Sequence, residues 1–230
     1  MNRAFVPLSA ALVCLSGCVI HTASGPPEHS YQVIERDSAK ELNAIIHMGA
    51  GNLRIGSGTE KLVRADFDYN VPEWKPEVRY TNGTLNISQP GNHTAHFGNS
   101  KYDWDLRFNR EVPIDLRVEF GAGEAHLDLG SLDLRRVSVQ MGVGTINMDL
   151  RGPVKHDYNV DIQGGVGEAI VYLPSDAGIS AEASGGIGEI KASGLRHEGS
   201  RYFNDALDKA KYTVHLNIQG GVGSIKLVAE

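Results

Sequence analysis

The sequence predicts an all-β protein built as a parallel β-solenoid, a β-helix-like stack of Gly-x-Gly-cornered coils with an irregular N-terminal cap. Three observations carry this. A unit of two arms joined by Gly-x-Gly recurs at Gly49, Gly121, Gly142, Gly165, Gly186 and Gly221, and self-similarity at a period of some twenty residues is the mark of a stacked repeat. Within the arms apolar and polar residues alternate: Leu116, Val118 and Phe120 against Asp115, Arg117 and Glu119, then Ala125, Leu127 and Leu129 beyond the glycines. This is the period of a strand with one buried face. Finally, the inward positions flanking each glycine pair stand five residues apart, as in Phe120 and Ala125, Met141 and Ile146, or Met48 and Leu53. An odd step puts two positions on opposite faces of a flat strand. The chain therefore has to bend or bulge at the glycines, where positive φ and close backbone approach are tolerated, so that both arms point inward.

Taken in order, the chain opens with Met1-Asn2-Arg3 and a mostly apolar stretch over 4–13, too short for a bilayer span. Leu15-Ser16-Gly17-Cys18 follows and reads as a bacterial lipobox. The expectation is that residues 1–17 are a lipoprotein signal peptide and that Cys18 is acylated, anchoring the chain to the membrane without a transmembrane helix. Cys14 would leave with the leader, and the mature domain would hold no free thiol, disulfide or cysteine metal site. Val19, rather than Asp, comes next; in a Gram-negative host this favours the outer membrane. Residues 18–30, with Pro26-Pro27, read as a tether. Residues 31–112 form the N-terminal part. Here 61–70 alternates as a strand, Pro72 and Pro76 break the pattern, and Thr81-Asn82-Gly83 reads as a hairpin turn between 77–80 and Thr84–Ser88. A polar loop over 91–100 precedes an alternating strand over Tyr102–Phe108. Residues 113–230 form the regular solenoid, with a polar loop over 196–211 inserted between coils.

Ala65-Asp66-Phe67-Asp68-Tyr69-Asn70, Trp74-Lys75-Pro76, Gly121-Ala122-Gly123-Glu124 and Gly164-Gly165-Val166-Gly167-Glu168 together resemble the bacterial toast-rack domain, a domain of unknown function found in envelope proteins. It is similar to the C-terminal domain of LiaF-like proteins, which modulate responses to cell-envelope stress. The resemblance runs from Leu42 to the C-terminus. It implies a β-helical stack and brings no catalytic residues to transfer.

Little else in the chain points to chemistry. The net charge of −6 argues against nucleic acid as a partner. Each Gly-x-Gly is followed by a strand pattern, whereas a phosphate loop opens a helix. The glycines are thus read as corners. His93 and His96 have the spacing of a metal pair, but no third ligand accompanies them in the sequence, and they read as solvated loop residues. Glu124, Glu168 and Glu189 stand just after their glycine pairs and form a column that is the candidate functional face. Outward strand positions are polar in any case. The aromatic residues Tyr69, Trp74, Tyr80, Phe97, Tyr102 and Trp104 read as a cap over the open end of the stack. No cofactor and no catalytic residue are expected. The function expected is non-catalytic binding, scaffolding or signalling at the cell envelope, with an envelope protein or glycan as partner. The alternative is a β-helical enzyme acting on cell-wall or extracellular polysaccharide.

Overall fold

The computed structural model describes residues 25–90 and 101–230. The lipobox with Cys18, the histidines His93 and His96, and Phe97 lie outside the described residues. The described residues form thirteen strands: β1 (Glu28–Ile34), β2 (Leu42–Ser57), β3 (Val63–Tyr69), β4 (Glu77–Thr81), β5 (Thr84–Ser88), β6 (Tyr102–Phe108), β7 (Ile114–Asp128), β8 (Leu134–Asp149), β9 (Tyr158–Leu173), β10 (Gly178–Ser193), β11 (Arg196–Glu198), β12 (Arg201–Phe203) and β13 (Thr213–Ala229). One 3₁₀ turn, Pro72–Trp74, occupies the proline break.

Each Gly-x-Gly lies inside one continuous bent strand. In β7 the buried positions are Ile114, Leu116, Val118 and Phe120, then Ala125 and Leu127, so the inward parity changes across the corner as the sequence requires. The two arms of every bent strand feed one hydrophobic core, which therefore lies between two facing walls. The corners stack in parallel register: Gly51, Gly123, Gly144, Gly167, Gly223 and Gly188 are consecutive neighbours. At β2 the walls part company. Its first arm pairs with β5 and its second with β6.

The strand order is β1-β3-β6-β2-β7-β8-β9-β13-β10-β12-β11, with β4 and β5 attached to β2. The last copy of the repeat therefore inserts between β9 and β10, and the coils do not stack in chain order. Three expectations change in detail. Residues 196–211, read as a loop, contain the hairpin β11–β12, which pairs with β10. Buried Asn204 holds this insertion in place: its Oδ1 accepts from Ile179 N and Leu207 N, both at 3.0 Å, and its Nδ2 donates to Ala177 O at 2.7 Å. The expected tether shortens, because β1 begins at Glu28 and Gly25 N already donates to Asn70 O at 2.7 Å. The N-terminal part is also more regular than expected, since β1, β3 and β6 run antiparallel with unbroken registers. The hairpin turn at Asn82-Gly83 is as the sequence indicates, with both residues at positive φ.

Candidate functional site

The column expected to carry function runs, in spatial order, Asn52, Glu124, Thr145, Glu168, Ser224, Glu189. Because β13 intervenes, Glu168 and Glu189 are not neighbours. Every glutamate is separated from the next by a neutral residue, two strand spacings or about 9.6 Å in all. Glu189 is ion-paired with Lys191 on its own strand at 2.9 Å, and Glu124 lies 3.6 Å from His126. All of these side chains are exposed apart from Thr145 and Ser224, which are half-buried. The structure thus brings the three glutamates to one face without bringing any two together. Among the described residues no group of three or more His, Cys, Asp or Glu could hold a metal ion.

Two features sit beside this column. The first is the middle residue of each Gly-x-Gly. In spatial order these are Ala50, Ala122, Val143, Val166, Val222 and Ile187. They point outward at the bend, and the four large ones are exposed to 53%, 48%, 47% and 73%. An isolated exposed valine needs no explanation, but four aliphatic side chains stacked at about 4.8 Å form a continuous ridge. Reasoning from the sequence passed over these residues because the glycines explained the motif. The signal available was the choice of Val, Val, Ile and Val where any residue that tolerates the bend would serve.

The second feature lies just inside the same corners. The inward slot before the glycines is filled in spatial order by Met48, Phe120 and Met141, then left empty by Gly164, Gly220 and Gly185. A Cβ on Gly164 or Gly185 would meet nothing within 4 Å. The result is a cavity of about 90 Å³ lined by aliphatic residues, among them Met141, Ile146, Ile162, Ile218 and Ile225, with Glu168 and Glu189 also on its lining. That is roughly the liquid volume of three water molecules, in a hollow that is apolar on its inner side and open towards the exposed corner residues. The large ridge residues and the hollow corners coincide on β9, β13 and β10. This end of the stack can hold an apolar group. Elsewhere on the outer faces charges are paired off: His47 Nδ1 lies 2.9 Å from Glu119, which also takes Arg117, and His156 Nε2 lies 2.7 Å from Asp133. Arg151 bridges Asp149 and Glu230, and its hydrogen bonds hold the Asp149 carboxyl below the usual carboxylate range. No helix among the described residues is long and apolar enough to cross a membrane.

Comparison with known proteins places this geometry in context. A family model described as the N-terminal domain of toast_rack, DUF2154, matches residues 23–172. A second, described as the C-terminal part of LiaF, of the cell wall-active antibiotics response, matches residues 121–227. No curated protein matches. Among solved structures, a candidate cell-adhesion protein of Clostridium sporogenes shares 34% identity and superposes with a TM-score of 0.84, over 89% of this chain and 100% of its own. A candidate adhesin of Bacteroides fragilis matches at 14% identity and a TM-score of 0.37, over 88% of this chain and 97% of its own. A candidate adhesin of Parabacteroides distasonis matches at 12% identity and a TM-score of 0.33, over 90% and 98%.

Proposed function

The chain belongs to the toast-rack family, and from that premise we propose that it is a lipid-anchored, non-catalytic binding protein of the cell envelope, which grips an envelope protein along the aliphatic ridge of its corners. The ridge is the observation that carries the reading. Exposing four stacked aliphatic side chains costs solubility unless something covers them, and a row of this kind is how a protein surface offers itself to an apolar partner. The LiaF-related match and the adhesion name of the 34% identical protein favour a place in the envelope and a binding task. Binding is preferred to polysaccharide cleavage because the glutamates are exposed along a single face, with Glu189 tied to Lys191 and Glu124 beside His126, whereas cleavage needs two carboxylates set on either side of a substrate.

Anchoring rests on Leu15-Ser16-Gly17-Cys18. With Gly25 already bonded to Asn70, only the seven-residue step from Cys18 to Gly25 separates the acylated residue from the folded body, a reach of at most roughly 25 Å. The domain then stands close to the bilayer with β1, β3 and β6 nearest the attachment. Cys18→Ala is expected to leave the leader uncleaved and to block acylation. Processing at the normal site to a soluble protein would sink the anchor.

The binding reading is tested in cells with a photoactivated cross-linking residue placed at Val166 or Val222. A discrete adduct is expected from the ridge, lost when Ile187→Asp is added. The same probe at Asn159, an exposed position on the outer face of β9, should give none. Equal labelling from ridge and control positions, or an adduct untouched by Ile187→Asp, would count against a ridge-borne partner.

A further inference from the structure

The terminal strand β10 is covered along one arm and bare along the other. On its first arm, Ser180, Ala181 and Glu182 pair with β12, and Ala183 N donates to Ser200 O at 3.2 Å. From Ser184 to Ser193 its only ladder partner among the described residues is β13. The other bent strands, β2, β7, β8, β9 and β13, are paired on both sides along both arms. The bare arm leaves a row of backbone N–H and C=O groups without partners in the ladder, a template for one more strand. It also leaves the end of the core open: Ile190 and Ala192 face inward but are only half-buried, and Ile190 borders the apolar cavity.

We propose that this arm pairs with the same arm of a second copy of the chain, antiparallel, about a two-fold axis perpendicular to the sheet at Ile190. The charges on the strand select both the partner and the register. Glu189 and Lys191 stand on the outer face at either side of Ile190, and they are the charged residues of the bare arm. With the axis at Ile190, Glu189 faces Lys191 of the second copy and Lys191 faces its Glu189. Both cross-strand pairs are attractive, and Ile190 meets Ile190 over the open core. Moving the axis by one residue reverses this. Centred on residue 191 the pairing sets Lys191 against Lys191, beside Lys226 on the neighbouring strand. Centred on residue 189 it sets Glu189 against Glu189. Like charges directly opposite are destabilising in an antiparallel pair. An isologous contact of this kind closes on itself, so this arm pairs once and does not propagate. The insertion 196–211 fits the same logic, since its hairpin covers the first arm and confines pairing to the second.

The test uses the full chain in detergent micelles, by sedimentation velocity. Wild type is expected to show a dimer. Glu189→Lys alone and Lys191→Glu alone each turn two attractive pairs into repulsive ones, and each should weaken dimerisation roughly tenfold. Mixing the two variants restores opposite charges in the mixed pair, so a heterodimer of wild-type strength should form. Both residues are exposed, and the fold should tolerate their replacement. Register is read separately by oxidative cross-linking of differently tagged Glu189→Cys and Lys191→Cys chains. The mixture should give the heterodisulfide, and neither variant alone should cross-link through its new cysteine. A monomeric wild type, a dimer insensitive to both charge reversals, or homodisulfides in place of the heterodisulfide would each overturn the proposal. The charge reversals leave every ridge residue unchanged, so the adducts at Val166 and Val222 should survive loss of the dimer; Ile187→Asp lies on the bare arm itself, and its effect on the adduct is read against these dimer-deficient charge variants.

Discussion

Gly167→Ala is expected to destabilise the protein by roughly 2–6 kcal/mol, while Gly164→Ala, three residues away in the same corner, should be neutral or slightly stabilising. Gly167 has φ +143°, a conformation open to glycine and strained for an L residue, which costs about 1–3 kcal/mol. Space adds to the penalty. A Cβ on Gly167 would overlap the carbonyl oxygen of Gly144 on the neighbouring strand and lie 2.8 Å from its carbon. Those atoms are backbone in a parallel ladder and cannot rotate aside, so the strands would have to separate, at a further cost of about 1–3 kcal/mol. Gly164 carries neither burden. Its φ is ordinary, a Cβ there meets nothing within 4 Å, and the added methyl enters the apolar cavity while restricting the unfolded chain. Urea unfolding of the two variants checks both halves. Equal losses would mean that the corner tolerates or rejects side chains for some reason other than φ and the neighbouring carbonyl. The same reasoning explains why the repeat needs two glycines. From β7 onward the first of each pair faces the same obstacle without the unusual φ, as a Cβ on Gly165 would overlap Gly142 O.

These corners were the most legible part of the chain. The five-residue step from Phe120 to Ala125 or from Met141 to Ile146 leaves one solution once both arms must face a core, and the structure adopts it. The order of the coils was much less legible. Gly185-Gly186-Ile187-Gly188 and Gly220-Gly221-Val222-Gly223 are nearly the same sequence, and either would seat on Gly164-Gly165-Val166-Gly167 in register. What separates them is bulk. The inward residues of β13 are Val214, Leu216, Ile218, Ile225 and Leu227, which suit a position with a neighbour on each side. Those of β10 include Ala181, Ala183 and Ala192, and its outward face carries Glu182, Glu189 and Lys191, the dress of an edge strand. The neighbours within the glutamate column were hard to read for a related reason. Period-two reading identifies which face a residue is on, but adjacency across the sheet depends on strand order, and β13 places Ser224 between Glu168 and Glu189. The ridge was visible in the letters but hidden by a motif whose glycines already had a structural explanation.

Trp104→Ala should cost about 3–5 kcal/mol, the usual range for removing a fully buried tryptophan, and the loss should fall on the end of the stack nearest the expected anchor. Trp104 is 0% exposed on β6 and lies in register between Leu53 of β2 and Phe67 of β3. Its ring meets Phe67 edge-on at 5.4 Å and Tyr102 at 5.5 Å, and Tyr102 in turn meets Trp74 at 5.4 Å. Burial pushes the Tyr102 phenol far above its ordinary pKa, so it stays a neutral donor, and its hydroxyl donates to Trp74 O at 2.7 Å. The aromatic residues thus lock the antiparallel strands β6 and β3 onto the second arm of β2, where the regular corners begin. Trp104→Phe keeps an edge-on ring and should recover more than half of the loss. Denaturant unfolding gives the size of the effect, and amide hydrogen exchange gives its place. Protection should fall first in β1, β3 and β6, while β8, β9 and β13 keep theirs, because each strand of the stack rests mainly on its immediate neighbours. Uniform loss of protection along the whole ladder would mean that the stack melts as one unit and that the aromatic end is no separate cap.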